Sequence, residues 1–585
     1  MNRLFSGLVL AAVGVSSSLA ATLTTFTDAP NLYQRIDGFG TCLSGAVSEE
    51  GWFQDLYFSD AQLSIERMDL VPVFKSPTSD FTYNSPWFHN SPALPGPDGN
   101  NVRTYTGAGD YGRTFAGRNA PIVVMGPDID ANASHFDYEA EGPHGAGILA
   151  QLGQSHAAAL GGFKLIGSLW SPAPWLKISS GNTIGNAAYP LPVGGTPWPF
   201  VWAGNFAGGK LDVSDTPLAL FNDGDGPTSA LTQFARSTAA YLRGFQNRFG
   251  VRFYAISIQN ELNFETFYNS ATYPLSSHYI AALTRVRAEL DQYPDLAGIG
   301  IIGPEDLLGG DAYGMWEYGG PVHKNLQYLK NIGADPAAES AIKLFAIHGY
   351  AADGASAADA TPQQWLWWRN GWTASPAAGI PANVAGFASH GKRSWMTETS
   401  GEANAWLAPV SGFPGQGAFG LALRIHQALA VGDQSAWVYW QMADGSAVGE
   451  QTLTDGNAGA NSPKYVAFKH YARDIRPGAM RARVDVDGNS NVVASVYWNA
   501  ADNALTWVVL NGGASAEPVT ITLPALPPAA SDYSLARSSD GSLWQTSTLT
   551  PLAGALTFTL PAYGVATING ASGNDVIFAT GFELQ

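Results

Sequence analysis

Cysteine is almost missing from this chain of 585 residues: Cys42 is the only one. An internal disulfide framework is thereby excluded, and so is a cysteine-rich zinc site. Charge is also scarce. Asp, Glu, Lys and Arg make up 13 % of the residues, about half the usual share, and sum to −18. A sparse, acidic balance argues against nucleic acid or an anionic membrane surface as partner. Long hydrophobic runs are wanting beyond residue 20, where nothing offers the roughly 18 apolar residues of a membrane span. Gly-x-Ser-x-Gly and His-Glu-x-x-His are absent too, which leaves little support for a serine or metal hydrolase. Stability has to come from packing, for which 45 % apolar content is ample.

What is present begins with a leader-like segment. Arg3 is followed by an apolar stretch over 4–15 and a small-residue end, Ser18-Leu19-Ala20. This pattern reads as a secretory signal peptide over 1–20, so a soluble, secreted protein, extracellular or periplasmic, is expected. Further on, short apolar runs alternate with helix-like stretches such as 231–249 and 420–431. Eight strand candidates follow one another at 36–42, 63–70, 163–170, 253–259, 299–303, 344–348, 393–397 and 436–440. Strand, helix, strand, repeated, means a parallel sheet, and eight units close into a barrel.

After Arg476-Pro477-Gly478 the period changes to alternating strands, for example 492–498, 505–510, 519–523 and 556–560, parted by Gly, Asn and Pro turns. The expected class is therefore α/β: a (β/α)8 TIM barrel with a C-terminal side β-sandwich that also takes an N-terminal strand. In residue terms this gives N-terminal strands over 21–35, the barrel over 36–478, the sandwich over 479–569 and a mobile tail over 570–585.

Two glutamates close buried-looking runs: Glu261 ends Tyr254-Ala255-Ile256-Ser257-Ile258-Gln259-Asn260-Glu261, and Glu398 ends Ser394-Trp395-Met396-Thr397-Glu398. A carboxyl at the end of a barrel strand sits where the sheet meets solvent, and two of them on separate strands can face one glycosidic bond from opposite sides. Environment then separates their roles, since burial raises one carboxyl while the other stays ionised. Taken singly, either Glu is as well explained as a strand cap or a surface ion-pair partner. Other polar residues gather at the same strand ends: Arg67 and Asp69, Trp170, Asn260, His348 and Tyr350, Trp440 and Gln441. Competing acids are Glu265 and Glu402, each four residues past a strand end, and Glu305, which follows a Gly-Pro turn.

Several of these segments, specific as a set, resemble glycoside hydrolase family 30. They are Ile36-Asp37-Gly38-Phe39-Gly40, Trp170-Ser171-Pro172-Ala173-Pro174-Trp175-Leu176-Lys177, Gln259-Asn260-Glu261, Ala346-Ile347-His348-Gly349-Tyr350, the run ending at Glu398, Trp437-Val438-Tyr439-Trp440-Gln441 and Asp474-Ile475-Arg476-Pro477-Gly478. The resemblance implies a barrel with a side β-sandwich and catalytic glutamates after strands four and seven. It makes Glu261 the general acid/base and Glu398 the nucleophile, and puts Asn260 on the sugar 2-hydroxyl. For a retaining reaction the two carboxyls must stand about 5 to 5.5 Å apart. Arg67 is expected beside Glu398, keeping it ionised. His348 and Tyr350 are expected to bond Glu398 or a sugar hydroxyl, and Trp170 and Trp440 to floor the sugar site. For His348 a core role is an equal alternative. No cofactor or metal is implied, because two side chains suffice for protonation and displacement.

Two long connections, 71–135 and 178–225, carry Trp87, Phe88, Trp198, Phe200 and Trp202, and on the catalytic face they would wall an extended cleft. The expected activity is an endo-acting, xylanase-type cleavage of a β-linked polysaccharide by a monomer. The alternatives within the family are an endo-β-1,6-galactanase or β-1,6-glucanase, and outside it a noncatalytic glycan-binding protein. No Arg occurs in 441–472, where bacterial family members that need acidic branches carry one, although Arg103, Arg113 or Arg118 can substitute.

Overall fold

The computed structural model describes residues 20–42, 45–70, 114–115, 118–119, 125–139, 141–170, 230–260, 276–307, 324–349, 362–375, 382–408 and 417–571. The leader, the tail and most of both long connections lie outside them. Eight parallel strands close a barrel, and they are the eight expected. They are β3 (Gly38–Cys42), β4 (Ile65–Leu70), β5 (Lys164–Leu169), β6 (Phe253–Ser257), β7 (Gly300–Leu307), β8 (Ile342–His348), β9 (Ser394–Glu398) and β10 (Gln434–Gln441), each hydrogen-bonded to the next and β10 to β3.

Local chemistry explains how the ring closes. Gly38 has φ +135°, open mainly to glycine, and a Cβ on Gly40 would lie 1.8 Å from the Ile65 carbonyl oxygen, so β3 and β4 can pack only with glycine there. Asp37, just before β3, takes the Trp395 indole N–H at 2.8 Å and pairs with Arg393, while Lys164 donates to its carbonyl at 2.7 Å. The amino-terminal mouth is thus tied across β3, β5 and β9. Above it the bore is filled by Ile65, Ile166, Ile302, Leu344, Trp395 and Val438. The barrel is a packed core with a single usable rim.

Helices cover the outside. In α1 (Ala230–Phe249) the residues Phe234, Tyr241, Leu242, Phe245 and Phe249 recur at helical spacing and are buried, which presses one face on the sheet. Among the described residues no helix is long and apolar enough to cross a membrane.

The second sheet has ten strands. Its amino-terminal members are β1 (Ala21–Phe26) and β2 (Leu32–Arg35); the rest are β11 (Met480–Asp487), β12 (Val492–Asn499), β13 (Ala504–Asn511), β14 (Glu517–Thr522), β15 (Tyr533–Ser539), β16 (Ser542–Leu549), β17 (Ala555–Leu560) and β18 (Val565–Ala571). β1 is antiparallel to β11 and parallel to β14, so the amino-terminal strand is internal to this sheet. A helix, α2 (Pro463–Ala472), docks the two sheets together. Its His470 is fully buried, with Nδ1 2.9 Å from the Thr567 hydroxyl and Nε2 2.8 Å from that of Ser538. Burial, helped by the Lys469 charge, pulls His470 down to about 3, so it stays neutral in this seam.

Candidate active site

Alternation along a strand decides which side chains enter the bore. On β4, Ile65, Arg67 and Asp69 share a face, with Ile65 in the plug and the two charged residues nearer the carboxyl-end rim. Ser168 on β5, Asn260 beyond β6, Glu305 on β7, and His348 and Glu398, last on β8 and β9, converge at the same level. Two irregularities aim them. The β7–β8 ladder runs Ala346↔Pro304 and then Ile347↔Asp306, leaving Glu305 as an extra residue, and the β8–β9 ladder runs Ile347↔Met396 and then His348↔Glu398, leaving out Thr397. A bulge re-aims a side chain locally, and these two turn Glu305 and Glu398 toward His348 from either side. Glu305 has φ +54°, a left-handed conformation costing about 1–2 kcal/mol in a residue with a side chain.

Arg67 sits at the centre, wholly buried. Its Nε donates to Glu305 Oε1 at 2.8 Å and its Nη2 to Asn260 Oδ1 at 2.6 Å. Its Nη1 is 2.8 Å from Glu398 Oε2, 3.2 Å from the Cys42 sulfur and 3.8 Å from Asp69 Oδ1. The expected Arg67–Glu398 contact is therefore present. His348 bridges the two glutamates, Nε2 at 3.6 Å from Glu305 and Nδ1 at 3.7 Å from Glu398. Ser168 Oγ donates to Glu305 Oε2 at 2.5 Å and lies 3.3 Å from Asn260 Oδ1. With its carbonyl oxygen committed to Arg67, Asn260 keeps its amide N–H groups for another acceptor.

Burial alone would push Glu305 upward, but the Arg67 guanidinium, then His348 and the Ser168 hydroxyl, bring it down to about 2. It is a fixed anion. Burial, reinforced by the charges of Glu398 and Glu305, pushes Asp69 up to about 7 against the pull of Arg67. Because 39 % of its side chain remains open to water, the shift is moderated there. Burial likewise raises the Cys42 thiol well above its usual range, so it lies in the floor as an unreactive S–H.

Trp170 and Trp440 stack with centroids 5.5 Å apart and planes 20° from parallel, both half-buried at the rim. The Trp170 indole N–H is enclosed without an acceptor among the described residues. A flat apolar wall at the rim suits a sugar ring, whose C–H face stacks on it.

The structure brings together Asn260, Arg67, His348 and Glu398, with Trp170 and Trp440 paired at the same rim. Glu261 and Tyr350 lie outside the described residues, as does Glu265. Glu402 is buried away from the centre, pairing with Arg424 and accepting from the Tyr439 hydroxyl at 2.8 Å. Glu305, read from the sequence as following a Gly-Pro turn, lies inside β7 and is bonded to Arg67. The Gly-Pro pair before it hid a continuing strand. Among the described residues no group of His, Cys, Asp and Glu is set to hold a metal ion. A guanidinium already occupies the point where the carboxylates meet.

No family model matches the sequence. The fold is shared with solved structures. A glycoside hydrolase family 30 subfamily 8 xylanase, Xyn30A, from Clostridium acetobutylicum is similar at a TM-score of 0.55 and 17 % identity, with 94 % of this chain and 100 % of that one covered. A family 30 endoxylanase from Clostridium papyrosolvens C71 gives 0.57 and 15 %, with the same coverage. An endo-β1,6-glucanase gives 0.53 and 14 %, covering 94 % of each chain. The barrel with its side β-sandwich is thus a glycoside hydrolase family 30-like fold.

Proposed function

We propose that this chain is a family 30 glycoside hydrolase that cleaves a β-linked polysaccharide with retention, by double displacement. The observation that carries the reading is the Arg67 guanidinium joining Glu398 and Asn260 at the rim of the barrel, beside the stacked Trp170 and Trp440. Glu398 is the nucleophile: a carboxylate paired with a buried Arg is ionised when a sugar arrives and can attack the anomeric carbon. Glu261 is one peptide bond beyond Asn260. It protonates the leaving oxygen and then deprotonates the water that releases the sugar from Glu398. Asn260 hydrogen-bonds the sugar 2-hydroxyl, a contact that strengthens in the transition state.

The glycan is xylan-like in this reading, supported by the two family 30 xylanases that share the fold. A β-1,6-linked glucan or galactan is the second reading, favoured by the similar β1,6-glucanase. The leader-like residues 1–20 support export, and a monomer suffices because one chain supplies every proposed group.

The test is product analysis. Purified protein should shorten xylan or a β-1,6-linked glycan, with the β-anomer appearing first by NMR, and Glu398→Ala should lower kcat by about 10⁴-fold or more while the fold persists. Inverted product, or full activity in Glu398→Ala, would remove Glu398 from the nucleophile's place. Binding without turnover in the wild type would leave a glycan-binding protein.

A further inference from the structure

Glu305 stands in the candidate site, yet it has no atom to offer a sugar. Oε1 is taken by Arg67 Nε at 2.8 Å and faces His348 at 3.6 Å, and Oε2 is taken by Ser168 at 2.5 Å. It has no exposed surface. The chain nevertheless holds it on a bulge, at positive φ, in the one place where it shares a guanidinium with Glu398.

Among the described residues the titratable and charged groups facing Glu398 are Cys42 from β3, Arg67 and Asp69 from β4, Glu305 from β7 and His348 from β8. Cys42 stays a neutral thiol and Asp69 is pushed toward its protonated form. Among the described residues the fixed charges near Glu398 are then Arg67 and Glu305, opposite in sign, with His348 adding positive charge only when it is protonated. A carboxylate nucleophile has two conflicting requirements. It must be ionised, which a nearby cation promotes, and it must give up electron density to carbon, which a nearby cation opposes.

We propose that Glu305 is a positioning residue that fixes Arg67 through Nε and offsets part of its charge, so that Glu398 is held ionised without being so stabilised that it loses nucleophilicity. The inference rests on reading Glu398 as the nucleophile. It differs in sign from a purely mechanical role. If Glu305 only braces Arg67, removing it lets the guanidinium drift, Glu398 loses its cation and becomes harder to ionise. If Glu305 offsets charge while Asn260, Cys42 and Glu398 keep the guanidinium in place, removing it makes Glu398 easier to ionise and a weaker nucleophile.

The experiment is the pH dependence of kcat/KM, whose acid limb reports the free enzyme's nucleophile, measured with the full chain on the glycan it cuts. Glu305→Gln is expected to lower kcat by about tenfold or more with KM within about threefold, and to move the acid limb about one pH unit lower. Glu305→Asp keeps the charge one methylene further from Arg67, and its limb is expected between those of the wild type and Glu305→Gln. It serves alone if the Gln variant does not fold. A limb that stays put or moves to higher pH in the folded variants overturns the proposal. Glu398→Ala, assayed alongside, separates the two failures. Activity surviving in Glu398→Ala sinks the nucleophile reading, whereas an inactive Glu398→Ala with an upward limb in the Glu305 variants sinks only this inference.

Discussion

Replacing Glu305 by Gln also tests the charge balance by a route that needs no substrate. In the folded chain the Glu305 carboxyl lies at about 2 against an ordinary 4.5, and the side chain is fully buried. Because the folded value is depressed, the unfolded chain takes up this proton first on acidification. The group therefore contributes stability that is complete above the unfolded value and is lost as pH falls through the folded one. At about 1.4 kcal/mol per pH unit, that contribution is about 3 kcal/mol. Gln keeps the shape and the hydrogen-bonding oxygen but not the charge. A second, pH-independent cost comes from leaving Arg67 with one anion fewer, and it does not affect the slope. Urea unfolding is followed by tryptophan fluorescence, for which buried Trp395 and Trp437 in the barrel are suitable reporters. The gap in unfolding free energy between wild type and Glu305→Gln is expected to narrow by about 3 kcal/mol between about pH 6 and about pH 2. A gap that stays constant over that window would refute a depressed Glu305 and, with it, the charge sharing at Arg67.

Two further outcomes concern other parts of the barrel. Glu66 is buried on β4, neither oxygen hydrogen-bonded among the described residues, and burial pushes its carboxyl well above the carboxylate range. The folded chain holds it protonated while the unfolded chain ionises it, so stability falls as pH rises above the unfolded value. Glu66→Gln is accordingly expected to match the wild type near pH 4 and to exceed it in stability at pH 8. Thermal midpoints at the two pH values decide it, and no gain at pH 8 contradicts the assignment. At the rim, Trp440→Ala removes one member of the Trp170 stack. It is expected to lower kcat/KM about tenfold, chiefly through KM, since a platform binds ground and transition states alike. An unchanged KM with a fall in kcat alone would count against a platform role.

The eight barrel strands were legible because each is a short apolar run, and burial on both faces demands that composition. The same reasoning reached Arg67, Asn260, His348 and Glu398, since an eightfold barrel gathers the residues at the carboxyl ends of its strands on one rim. The part Glu305 plays beside Arg67 is not announced by the sequence, for a definite reason. Its aim depends on an extra residue in the β7–β8 ladder, and a register shift is settled by neighbouring strands, so residue type does not announce it. The Thr397 irregularity is silent in the same way. In the second sheet β16 is hard to read from sequence because Gln545, Thr546, Ser547 and Thr548 are all exposed, which leaves no alternation to detect. The buried pair of Glu402 with Arg424 shows the converse, an acid near a strand end whose partner came from a helix distant in sequence.

The place of β1 has a consequence for how the molecule is made. Thr22 finds its antiparallel partner at Asp487 and its parallel one at Thr520, so the strand is delivered first and completed last. While the barrel is being assembled, this segment is an open β-edge in search of a mate, and the mates arrive only after the whole cylinder has been synthesised. Chains cut short within the barrel would carry that sticky edge permanently and would tend to self-associate. The second sheet closes like a clasp, residues 21–35 woven into strands from 480–571, and the far half of that sheet licenses the near one.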